Sequence, residues 1–286
     1  MLGMAVTNPM KARLLSSARR LRHMHDRLAA AYGPQHWWPA QTAFEVILGA
    51  YLTQNTAWKS VERSLANLRG AGALSVDGIR GLPMAKLAEL IRPSGFATRK
   101  AVAVQAFIRM LDDEFSGSLN RLAAIPAELL RVRLLSLPGV GPETADAILL
   151  YALNKPVPVA DEYLRRIAER HGLLRPAPER NRAGYESLVA LTQSAFAADP
   201  PRAHAGLFNE FHALVVAVGK EHCGRTASCD GCPLAFDLKS ARERSKNARS
   251  RARARKESVQ GKAQDATIEA VPLRPRLPDQ PLSPAR

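Results

Sequence analysis

The run Leu135–Ile167, LSLPGVGPETADAILLYALNKPVPVADEYLRRI, decides how the rest of the chain is read. Apolar residues at spacings of three and four flank Pro138-Gly139-Val140-Gly141-Pro142, which reads as two helices joined by a tight turn. Pro142 suits the first position of the second helix. Gly139 and Gly141 carry no Cβ and can take positive φ, so their amides stand clear beside the positive end of a helix dipole. Such a turn can grip a DNA phosphate without reading sequence. It is equally an ordinary helix–turn–helix corner, and the turn alone does not choose. A Pro-broken segment then ends on Asp161, where an Asp before a helix makes a good N-cap. The third residue beyond is Leu164, so no capping box reinforces that role.

Outward from this run, helical spacing dominates. It recurs in TAFEVILGAYL, WKSVERSLANLR, FATRKAVAVQAFIRMLDDEF, YESLVALTQSAFAA and FNEFHALVVAVGK. Breaks fall at Gly33-Pro34, Gly70 with Gly72, Pro93-Ser94-Gly95, Pro126 and Pro200-Pro201. Alternating strand patterns are almost absent, and no solenoid repeat is visible. The fold class is all-α, built of short helices.

Charge narrows the partners. The 286 residues hold 41 Lys+Arg against 26 Asp+Glu, a net +15, which favours a polyanion, nucleic acid before a membrane surface. No apolar run approaches the roughly 18 residues that a membrane span needs. The N-terminus is basic and amphipathic without a secretory apolar core, and three cysteines are no disulfide framework; a cytoplasmic, nucleoid-associated monomer is expected. Residues 241–286 contain twelve Lys/Arg, five Asp/Glu and no aromatic residue, and read as a disordered basic tail. The expected organisation is a basic segment over 1–20, a core over 21–238 with a hairpin over 126–154 and a cysteine loop over 222–238, and the tail over 239–286.

LPGVGPETADAIL, followed about twenty residues later by VPVADEYLRRI, resembles the helix-hairpin-helix DNA glycosylase superfamily (HhH-GPD) that includes endonuclease III. WWPAQTAFEVILGAYLTQNTAWKSVERSL and LAELIRPSGFATRKA look like its 3-methyladenine glycosylase branch, and the likeness covers roughly residues 20–235. The resemblance implies two helical lobes with a DNA-binding cleft between them. It implies that Asp161 is the catalytic carboxylate, facing a nucleotide flipped out of duplex DNA. A carboxylate suits that place, because breaking an N-glycosidic bond leaves positive charge on the sugar and a water to be oriented. It also implies that Leu137, Gly139, Val140, Gly141 and Thr144 of the hairpin face DNA, and that Gln54 and Asn55 fill the gap the flipped base leaves. Members that nick the backbone carry a Lys two residues after the final turn glycine; here that residue is Glu143, which cannot form an imine. Trp37, Trp38 and Trp58, all the tryptophans of the chain, are candidates for stacking on an electron-poor flipped base, and are otherwise core filler.

Relatives place a [4Fe–4S] cluster after the last core helix, with six, two and five residues between four cysteines. Here HCGRTASCDGCPL puts five residues between Cys223 and Cys229 and two before Cys232, and Leu238 stands in the fourth slot. Three thiolates with a non-Cys ligand such as His222, zinc held as Cys3His, or a loop that has lost its metal all remain open. The expected function is a monofunctional DNA glycosylase of base excision repair acting on alkylated purines in damaged duplex DNA. The alternatives are a glycosylase for an oxidised pyrimidine or mispaired adenine, or a DNA-structure-binding relative without catalysis.

Overall fold

The computed structural model describes residues 9–35, 37 and 40–238, and these contain helices and no strand. Trp38 and the tail over 239–286 lie outside the described residues. Twelve α-helices follow in order among the described residues: α1 (Pro9–Tyr32), α2 (Ala43–Leu52), α3 (Trp58–Gly70), α4 (Val76–Arg80), α5 (Met84–Leu90), α6 (Ala97–Phe115), α7 (Leu119–Ala124), α8 (Ala127–Leu135), α9 (Pro142–Ala147), α10 (Glu162–Arg170), α11 (Arg182–Phe196) and α12 (His204–Glu221).

The core helix is α2, whose residues from Phe44 to Leu52 are all buried. A helix apolar on every side has to be enclosed. Thr42 caps it by accepting from the Glu45 amide at 3.1 Å, and buried Glu45 pairs with Arg69 of α3 at 2.6 Å. Around it, α3 buries Val61, Ser64, Leu65 and Leu68, a stripe at helical spacing, and α6 packs behind. The long α1 buries Ala18, Leu21, Met24 and Leu28 against α11 and α12. It passes residue 20 without a break, so the basic segment expected over 1–20 is, from Pro9 on, part of a core helix. Three short helices, α4, α5 and α7, fall where the spacing signal was too brief to declare them; Ser75 and Ser118 cap two of them.

The hairpin forms as expected, with one difference. α8 runs into the turn, Gly139 takes φ +75° and Pro142 opens α9. Gly141, however, is extended at φ −95°, ψ 175°, because it serves as the N-cap residue of α9. α9 widens into a π-helical turn over Ile148–Ala152, and this turn packs against α2 and α12. π turns inside helices redirect side chains and occur often at functional sites. The chain then runs extended through Pro156 and Pro158 to Asp161 at the head of α10. Gly219 of α12 lies against the Tyr163 ring, so a Cβ there would collide and hold α10 and α12 apart.

Candidate functional site

The extended segment, the hairpin and the loop after α2 meet at one cavity of about 1080 Å³. Asp161 lies at its wall, 8% exposed. It is the N-cap of α10: Oδ1 accepts the Leu164 amide at 2.8 Å. The second oxygen is left over by the cap and lies 3.6 Å from His212 Nε2. The cap therefore engages one oxygen of the carboxylate and leaves the other to face His212.

Glu143 lines the same cavity from α9. Its side chain is reached by solvent yet surrounded by protein, so desolvation, together with the Asp161 charge, pushes its pKa up to about 7. The position where backbone-nicking members carry an amine thus presents a carboxyl that changes charge near neutrality. Lys220 of α12 is the lysine among the lining residues, with its Nζ 5.5 Å from the centre of the Trp37 ring. Trp37 and Trp58 both line the cavity, and Trp58 also packs on the core.

The loop carrying Gln54 and Asn55 is tied down twice. Gln54 donates to the Gly139 carbonyl and to the Thr144 hydroxyl, both at 2.9 Å, which joins the loop to the hairpin turn. Lys100, buried on α6, donates to the Leu52 carbonyl, the Thr56 hydroxyl and the Ser94 carbonyl at 2.7–2.8 Å. Asn55 is exposed in the left-handed region at φ +52°, a conformation asparagine adopts more readily than most residues with a side chain. Leu137 and Val140 turn into the core, and Thr144 is buried under Gln54, so the side chains of these three face away from the surface. Gly139 and Gly141 are exposed.

The cavity's outer wall is basic: Arg165, Arg166, Arg180 and Arg182 line it beside Glu162 and Glu179. Hydrogen bonds from Arg165 hold the Glu162 carboxyl well below the usual range, with Arg180 adding to the effect against the opposing pull of burial. Beneath the hairpin, fully buried Asp146 accepts from Arg131 at 2.6 and 2.9 Å and from the Tyr185 hydroxyl at 2.9 Å. Tyr185 itself lines the cavity, so the carboxylate that staples α8 to α9 also orients one wall.

The sequence did not flag His212, Tyr151, Lys100 or Phe96. His212 and Lys100 sit inside apolar helical patterns, where spacing marks a face but not a polar partner. Phe96 is 65% exposed and left-handed at φ +47°, following the segment that Lys100 anchors, and an exposed strained aromatic was the available signal.

Among the described residues the cysteine loop does not gather a set of metal ligands. Cys223 is buried, Cys229 exposed and Cys232 intermediate, and no group of three or more His, Cys, Asp or Glu side chains converges among the described residues. Arg170 occupies the Cys223 thiol, donating to Sγ at 3.1 Å and to the Gly224 and Arg225 carbonyls at 2.9 and 3.0 Å. A guanidinium against the thiol, a hydrogen bond between His222 Nδ1 and the Ser228 carbonyl, and Leu238 in the fourth slot do not fit a four-thiolate cluster.

Residues 48–190 match the HhH-GPD superfamily of base excision DNA repair proteins. A Methanocaldococcus jannaschii protein whose name assigns it to the DNA repair glycosylases is 38% identical over 205 residues, 71% of this chain and 88% of its own length. The solved structure of the Helicobacter pylori 3-methyladenine DNA glycosylase MagIII bound to 1,N6-ethenoadenine superposes with a TM-score of 0.60 at 28% identity, covering 72% of this chain and 97% of that one. An endonuclease III–DNA complex superposes with a TM-score of 0.62 at 20% identity, over 80% and 98% of the two chains, and shares the fold.

Proposed function

The chain belongs to the HhH-GPD superfamily of base excision DNA repair proteins, and on that premise we propose that it is a monofunctional DNA N-glycosylase that removes alkylated purines. The observation that carries the reading is the pairing of Asp161 with Glu143 in one cavity, where an amine nucleophile would otherwise stand. The reaction needs little more. The bond from sugar C1′ to the base nitrogen breaks, the base leaves with the electron pair, and water oxygen adds to C1′ as its proton passes to Asp161. Positive charge on the sugar falls beside two carboxyl groups, which stabilise it electrostatically. A cationic alkylpurine leaves without further protonation, so its release needs no acid at the base. Trp37 and Trp58 offer stacking faces for such a base, and the likeness to the 3-methyladenine enzyme supports that class. The arginines of the outer wall, the exposed glycines of the hairpin and the exposed Asn55 would meet duplex backbone and the gap in the stack. The basic tail would add a non-specific tether.

The test is single-turnover incubation with duplexes carrying 3-methyladenine, 1,N6-ethenoadenine, an oxidised pyrimidine or mispaired adenine, scored for free base and for strand breaks. Release of the alkylated bases with an intact backbone is expected. Borohydride trapping should give no crosslink; a crosslink that vanishes in Lys220→Ala would instead make Lys220 a nucleophile and the enzyme bifunctional.

A further inference from the structure

We propose that His212 is a positioning residue for Asp161, held as the neutral Nε2–H tautomer by the Tyr151 hydroxyl. The inference rests on the glycosylase reading for its purpose, but not for its geometry.

His212 projects from α12 and is 8% exposed. Its Nδ1 is hydrogen-bonded to the Tyr151 hydroxyl, which the π turn delivers from the opposite side. Its Nε2 is buried without a hydrogen-bond partner among the described residues and lies 3.6 Å from Asp161 Oδ2. That oxygen is the one left over by the α10 cap, whose bond uses Oδ1.

The two neighbours select the same ring state independently. A neutral imidazole carries one proton, on one nitrogen. Were it on Nδ1, the Nε2 lone pair would face a carboxylate oxygen, lone pair against lone pair, in a buried place. Were it on Nδ1, the Tyr151 hydroxyl would also have to accept rather than donate there. A phenol is a better donor than acceptor, and desolvation, reinforced by the Asp161 charge, raises the Tyr151 pKa well above the usual value, so the proton stays on the phenol. With Tyr151 donating to Nδ1, the proton sits on Nε2 and points at Oδ2. The separation exceeds a hydrogen bond in this state and closes with a small movement of either side chain, as expected of a catalytic contact that tightens when substrate binds. Asp161 is then held from two sides, Oδ1 by the Leu164 amide and Oδ2 by His212, which fixes the carboxylate plane against the sugar. Without the second hold the carboxylate can rotate about its Cβ–Cγ bond, and small misplacements of a reacting group cost large factors in rate.

The primary measurement needs neither DNA nor activity: ring ¹⁵N–¹H correlation spectra of the full chain, with His212 assigned by substitution. The expected pattern is a protonated Nε2 and an unprotonated Nδ1. In Asp161→Asn, the side-chain oxygen stays on the Leu164 amide and the new NH₂ faces Nε2, so the ring should shift towards Nδ1–H. In Tyr151→Phe the selection from the other side is lost, and the two tautomers should mix. The kinetic arm measures single-turnover release of the damaged base. His212→Ala should lose about 10- to 100-fold with affinity for an abasic-site duplex unchanged, and His212→Gln, whose amide NH₂ can approach the place of Nε2–H, should recover part of the loss. An Nδ1–H or doubly protonated ring in the native chain, a ring signal indifferent to Asp161→Asn, or wild-type excision by His212→Ala would each overturn the proposal. If the ring signals behave as stated while no damaged base is released by the unsubstituted protein, the glycosylase reading falls and the geometry of the His212–Asp161 pair stands.

Discussion

In the hairpin over residues 126–154, a fully buried carboxylate joins the parts: Asp146 takes two bonds from Arg131 and one from Tyr185. In the cysteine loop over 222–238, a buried carboxylate is accompanied by a guanidinium that reaches a thiol and backbone carbonyls. Arg170 of α10 reaches over to the Cys223 thiol and two carbonyls, and Asp237 at the loop's end is held by Arg20 of α1 and His171. Burial alone would raise the Asp237 carboxyl, but hydrogen bonds from His171 and Arg20 outweigh it and hold the pKa well below the usual range. Both regions carry family-like spacing in the sequence, yet they spend it differently. The hairpin keeps the geometry that brings a turn, Gln54 and Asp161 to one cavity. The loop is tied to the core by the guanidinium contacts of Arg170 and Arg20. Spacing alone therefore says where a segment lies, and the partners opposite it say what it does there.

The sharpest break in the comparison is at the cavity. Asp161→Asn keeps an N-cap, since Asn caps as well as Asp, so the fold should lose a few tenths of a kcal/mol or less while base release drops by about two to three orders of magnitude. Thermal melting and single-turnover release check both halves; near-wild-type excision would remove Asp161 from the chemistry.

Next is the contrast in anchoring. Asp146→Ala leaves Arg131 with Glu186 as its ion-pair partner and takes the acceptor from the Tyr185 hydroxyl, and should cost about 3 kcal/mol, read by denaturant unfolding. Arg170→Ala removes hydrogen bonds at a half-buried site and should cost about 1–2 kcal/mol. Equal losses would show that the two regions are held alike.

Glu143 supplies a pH handle. Its folded pKa of about 7 lies above the ordinary carboxylate value, so the native state holds the proton more tightly, and stability falls slightly as pH rises from the ordinary carboxylate range through 7. The effect on catalysis has the opposite sign, because the ionised carboxylate stabilises positive charge on the sugar. Excision should therefore rise through about pH 7, and Glu143→Gln should flatten that limb. A limb that survives the substitution would belong to another group.

The smallest expected effect is in the cysteine loop. Elemental analysis of protein purified without chelators should give iron and zinc well below one per chain, and Cys229→Ser should leave melting and excision within error. Stoichiometric metal lost in that variant would restore the loop as a ligand site.

The all-α class and eight of the helices were legible because a 3.6-residue apolar period is a local property of the chain. The hairpin was legible too, from two glycines and a proline, and its relation to Asp161 came with the family likeness. α4, α5 and α7 were not, since one or two turns carry too few periods, and α1 was masked by its arginines. The Gln54 tie to the turn, the Lys100 anchor beneath its loop and the His212–Tyr151–Asp161 contact were not legible either. Each joins residues far apart in the chain, and Lys100, Tyr151 and His212 sit within apolar helical faces that periodicity reads only as core. Which oxygen of Asp161 caps the helix and which faces the cavity depends on how α10 and α12 pack, with Gly219 against Tyr163 setting their approach, and no local pattern encodes that distance.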